Sequence, residues 1–74
     1  MLSNSIYSEA LQTISKYDVK NWPVDVERVN IKCLYNLDMW TENMPSGEKY
    51  HWAILTNVSD TSDYRIMKRM LVNE

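Results

Sequence analysis

A single glycine, a single cysteine, a single histidine and no phenylalanine narrow what this 74-residue chain can be. With Gly47 alone, no glycine-rich phosphate-binding loop can be built, which excludes the common nucleotide-binding signatures. With Cys33 alone, no internal disulfide forms, and a reducing compartment is expected. Cys33 and His51 are the only soft ligands and fall short of a zinc coordination set, so no metal or other cofactor is expected. No apolar run approaches the roughly 20 residues of a membrane-spanning helix. The opening Met1-Leu2-Ser3-Asn4-Ser5 lacks the basic and apolar regions of a signal peptide. The expected location is therefore the cytoplasm, without membrane contact. A net charge of −2 is far from that of a strongly basic nucleic-acid binder.

What is present is a rich supply of Trp and Tyr in a chain of ordinary hydrophobic content. Disordered chains are poor in aromatics, so one folded domain over residues 1–74 is expected. So short a chain has one thin core, and association with a second copy is a common way to enlarge it.

Residues 5–17 read as an amphipathic helix. Ile6, Tyr7, Ala10, Leu11, Ile14 and Tyr17 recur at helical spacing, and Ser3, Asn4 or Ser5 suits the N-cap. Trp22-Pro23 ends any preceding helix, because the residue before proline avoids the α region. Residues 29–40 alternate: Val29, Ile31, Cys33, Tyr35, Leu37 and Met39 are apolar, with breaks at Leu34 and Trp40. That is the period of a half-buried strand. A mostly helical fold is the alternative if residues 24–40 are helical. Residues 50–58 read as a second strand, rich in aromatic and β-branched side chains. Met44-Pro45-Ser46-Gly47 is the turn between the two. Residues 60–72 read as a second helix, capped by Ser59 or Asp60, with Tyr64, Met67, Met70 and Leu71 as its apolar stripe. The expected fold class is a small α+β domain of order α-β-β-α, an antiparallel β-hairpin packed on two helices.

Hairpin register decides which residues face outward. A three-residue Pro45-Ser46-Gly47 loop with a glycine bulge sets Trp40 opposite Trp52 and Met39 opposite Ala53. A loop of two or four residues sets Met39 opposite Ile54, Leu37 opposite Thr56 and Tyr35 opposite Val58. The second register is expected. It gathers Val29, Ile31, Tyr35, Leu37, Met39, Trp52, Ile54 and Val58 into one layer. The first turns His51 and Asn57 to the core, at a cost unless each finds a partner.

In the expected register Cys33 is buried and inert, with His51 on the opposite face, so no Cys–His nucleophilic pair forms. The carboxylates are scattered. Glu42 and Glu48 flank the turn, and Asp60 and Asp63 sit where a helix would start, as solubility and capping require. No enzyme and no catalytic residue is expected.

The sheet face turned away from the helices then carries Leu34, Trp40, Ala53 and Leu55. Two helices cover one face of a hairpin. Either residues 18–28 fold over the other, using Trp22, or a protein partner or a second copy does. A protein-binding site at Leu34, Trp40, Ala53 and Leu55, in a homodimer or with another protein, is the leading expectation. The alternative is nucleic-acid or acidic-partner contact through Arg65, Lys68 and Arg69. Residues 64–74 carry a net +2 and residues 1–63 a net −4. In size and in its want of catalytic residues the chain resembles small accessory proteins of phages and mobile elements. That resemblance implies a modulator or inhibitor of another protein.

Overall fold

A computed structural model describes residues 3–73; Met1 and Leu2, where the signal-peptide reading begins, and Glu74 lie outside them. The element order is α1 (Asn4–Ile14), β1 (Glu27–Ile31), β2 (Tyr35–Asn43), β3 (Lys49–Asn57) and β4 (Tyr64–Leu71). The strands form one antiparallel sheet in the order β1-β2-β3-β4. The α+β class holds, but the described residues form one helix and four strands in place of two and two.

Helix α1 forms where the apolar spacing indicates. Ser3 caps it, its hydroxyl accepting from the Ile6 N–H at 3.4 Å. Ile6, Ala10 and Ile14, one turn apart, are buried against the sheet. Tyr7 and Leu11 stay exposed, so the buried stripe is narrower than the sequence suggests.

The strand expected over 29–40 is two strands. Its break at Leu34 is a turn, with Lys32 at φ 53° and Cys33 at φ 61°. Two successive positive φ values are what a type I′ hairpin turn requires. The Leu34 N–H closes it on the Ile31 carbonyl at 3.0 Å, and Asn30 Oδ1 accepts from the Cys33 N–H at 2.9 Å. Residues 24–40 are therefore not helical. Cys33, expected in the core, is exposed at the tip of this turn.

The β2–β3 hairpin takes the register that was not expected: Met39 pairs with Ala53 and Trp40 with Trp52. The turn explains it. The Gly47 N–H donates to the Met44 carbonyl at 2.9 Å and the Met44 N–H to the Glu48 carbonyl at 2.8 Å, with Gly47 at φ +95°. That is a three-residue loop with a glycine bulge, and it fixes every pair that follows. His51 and Asn57 are consequently on the core side. Asn57 meets the cost through its side chain, which accepts from the Ser59 and Asp60 N–H groups at 2.8 and 3.0 Å. His51 meets it in part, by stacking on Trp22.

Residues 60–72 form no helix. Asn57 and Asp60 use the same polar chemistry that caps helices to build a tight turn: Asp60 Oδ1 accepts from the Ser62 N–H and hydroxyl at 3.1 and 2.6 Å. Asp63 accepts from the Tyr35 hydroxyl at 2.7 Å, which ties this turn to β2. Strand β4 then satisfies the free edge of β3. A bulge at Met67–Lys68 shifts its alternation and leaves a pattern that imitates helical spacing.

One core results. Ile6, Ala10, Ile14 and Trp22 cover Ile31, Tyr35, Leu37, Met39, Ala53 and Leu55, with Tyr17, Val29 and Met67 at the margin. Of the expected core layer, Ile31, Tyr35, Leu37 and Met39 are in the core and Val29 at its margin, but Trp52, Ile54 and Val58 are not: Val58 is exposed and the other two occupy the opposite face. Trp22 does fold back on the sheet, but onto the helix-covered face. Its Nε1 donates to the Trp40 carbonyl at 3.0 Å.

Candidate functional site: the uncovered sheet face

Cross-strand partners point to the same side of a sheet, so the register lists the second face directly. Asn36, Asp38, Trp40 and Glu42 come from β2, and Tyr50, Trp52, Ile54 and Thr56 from β3. Tyr64, Ile66, Arg69 and Leu71 come from β4, and Arg28 and Asn30 from β1. No element among the described residues packs over this face. Tyr64 is 59% and Ile66 51% exposed.

The centre of the face is an aromatic row. Trp40 and Trp52 stack across β2 and β3, with ring centroids 5.9 Å apart and planes 8° from parallel. The Arg69 guanidinium lies 4.3 Å from the Tyr50 ring centre and 5.4 Å from that of Trp52. These contacts hold the arginine over two π faces at once. The Trp52 indole N–H donates to Glu42 Oε1 at 3.0 Å. At the β1 margin, Arg28 makes a two-point pair with Asp38 at 2.8 and 3.1 Å, which raises the arginine's already high pKa. The polar groups named here are thus matched within the face, and the rings between them stand ordered. Fixing these side chains in advance removes part of the entropy cost of binding.

The structure divides the residues singled out from sequence. Of Leu34, Trp40, Ala53 and Leu55, only Trp40 lies on the open face. Ala53 and Leu55 are fully buried under α1, and Leu34 projects from the β1–β2 turn, 52% exposed. The four do not form one patch. The basic trio is divided too. Arg69 is on the open face. Arg65 is over the Tyr7 ring at 5.7 Å and Lys68 over the Trp22 ring at 5.0 Å, both on the helix side. The residues missed were Tyr50, Trp52, Ile54, Tyr64 and Ile66. For Tyr50, Trp52 and Ile54 the signal was the alternation of β3, assigned to the wrong face with the register; Tyr64 and Ile66 fell in the segment read as a helix.

Cys33 is exposed at a turn whereas His51 is buried. Among the described residues, no group of three or more His, Cys, Asp or Glu side chains is placed to hold a metal ion. An open depression of about 400 Å³ lies beside the β2–β3 turn, bordered by Ser46, Gly47, Glu48, Lys49, Leu71 and Val72, with the Ser46 hydroxyl 3.3 Å from Glu48 Oε1. No helix among them is long and apolar enough to cross a membrane.

No protein-family model matches the chain, no curated protein matches it, and no solved structure matches it.

Proposed function

We propose that the protein is a small non-enzymatic protein-binding module, of the modulator or inhibitor type, whose contact surface is the uncovered sheet face. The observation that supports this is the ordered row Trp40–Trp52–Tyr50–Arg69 on a face without a covering layer. Trp, Tyr and Arg are the side chains that most often dominate binding energy at protein interfaces. The apolar neighbours Ile54, Ile66 and Leu71 surround that row and supply area to be removed from water. The nucleic-acid reading loses support, because Arg65 and Lys68 face away from Arg69. One arginine among aromatics lacks the positive groove that holds a phosphate backbone. The proposal sets the protein in the cytoplasm, where an exposed lone thiol such as Cys33 stays reduced.

The test compares wild type with Ile66→Asp and Arg69→Glu in affinity capture from the native host, followed by titration with the captured protein. Ile66 is exposed, so its replacement leaves the core intact. Each variant is expected to weaken binding about 10- to 100-fold, the range of an interface hot spot. Equal binding by all three proteins refutes the face as the contact surface. Sedimentation of the pure protein distinguishes a second copy from another partner. Retention on DNA at low salt, lost in Arg65→Glu but not in Ile66→Asp, would instead establish the nucleic-acid reading.

A further inference from the structure

His51 is the one buried polar side chain among the described residues whose hydrogen bonding is incomplete. It is 5% exposed, and its Nδ1 has no hydrogen-bond partner. Its ring lies flat against the indole of Trp22, with centroids 5.2 Å apart and planes 9° from parallel. Trp22 is itself 4% exposed and anchors the connection between α1 and β1. Around it, the Thr41 N–H donates to the Val24 carbonyl at 3.2 Å and the Thr41 hydroxyl to the Pro23 carbonyl at 2.8 Å.

We propose that protonation of His51 releases Trp22, and with it residues 18–26, from the sheet, so that this connection is an acid-opened latch. The charged form of imidazole carries two N–H donors. Buried Nδ1 offers the second one no acceptor. The neighbours do not compensate. From β4, the Lys68 ammonium sits 5.0 Å from the centre of the same indole. From β2, Thr41 pairs with His51 and brings no charge. From the connection, Tyr17 meets Trp22 edge-on at 6.0 Å, and its hydroxyl donates to Glu27 of β1, so that carboxylate is already engaged. An imidazolium would gain some attraction from the indole face, but Lys68 already uses that ring.

Burial, and next to it the like charge of Lys68, hold the His51 pKa below the ordinary value. The closed state therefore prefers neutral His51, whereas an opened state titrates near 6.5. Above that value the latch suffers no penalty. As pH falls through about 6.5, the opened form takes up a proton that the closed form resists, and opening increases up to tenfold per pH unit.

The test is an NMR titration of the intact protein from pH 8 to 4.5. It follows the His51 ring protons and the exchange of the Trp22 indole N–H, corrected for its intrinsic rate, in wild type and in His51→Phe. Phenylalanine keeps a flat ring beneath Trp22 and removes the titration. The expected result is a His51 midpoint below 6.5 and a Trp22 opening equilibrium that rises in acid only in wild type. A midpoint at or above 6.5, or the same acid response in His51→Phe, overturns the proposal. Lys68→Met in the wild-type background provides a reading that does not depend on the phenylalanine variant folding. It is expected to move the His51 midpoint upward, and an unmoved midpoint counts against the latch.

Discussion

Gly47 shows how much a single backbone angle decides. At φ +95° it adopts a conformation that side chains other than glycine's rarely take, although a Cβ placed there would meet nothing within 4 Å. The requirement is conformational and not steric crowding. Gly47→Ala is therefore expected to cost about 1–2 kcal/mol through backbone strain alone. Urea unfolding measures this, and a loss near zero would mean that the bulge does not set the register. His51 is the counterpart on the facing strand. The register that Gly47 imposes takes this polar ring into the core, where stacking on Trp22 partly replaces hydration.

At the scale of elements, the β1–β2 turn is the least favourable piece of local chemistry. Lys32 and Cys33 occupy positive φ side by side, where Asn-Gly is preferred. Lys32→Asn combined with Cys33→Gly is expected to raise stability by about 1 kcal/mol, read as a higher denaturant midpoint at unchanged slope. The same mismatch explains why this turn was not legible: the sequence there gives no turn signal, and only Leu34 falls out of step. Helix α1 and the β2–β3 turn were legible, because capping, 3.6-residue spacing and the Pro-Ser-Gly sequence each have a direct local cause. Strand β4 was not. Its start uses Asx turns that share their chemistry with helix caps, and its bulge breaks the two-residue period. What decides it is the open edge of β3, a partner that local sequence does not contain. The candidate site suffered doubly. Trp40 was placed on the open face, while Ala53 and Leu55 stood in for Trp52 and Ile54, because one register slip exchanges the faces of a whole strand.

For the molecule as a whole, one layer of side chains between α1 with Trp22 and the sheet carries the fold. Leu37 is fully buried on the central strand β2. Truncation to Leu37→Ala is expected to cost about 2–5 kcal/mol. Against a total of about 4–11 kcal/mol for this length, a large part of the margin is lost. Thermal unfolding should show a midpoint lowered by about 8 °C or more, on the order of 4–8 °C per kcal/mol. A smaller shift would place the stabilising layer elsewhere. The open face, by contrast, tolerates change at Tyr64 or Ile66 without this penalty, since neither is in the core. That separation lets a binding surface vary while the scaffold stays fixed.

The unbroken strand order β1-β2-β3-β4 also bears on how the chain reaches this state. Each strand pairs with the next along the sequence, across loops of residues 32–34, 44–48 and 58–63. Loop closure over such short distances costs little entropy, and no pairing has to wait for a distant segment. The sheet can therefore zip from any of its three turns.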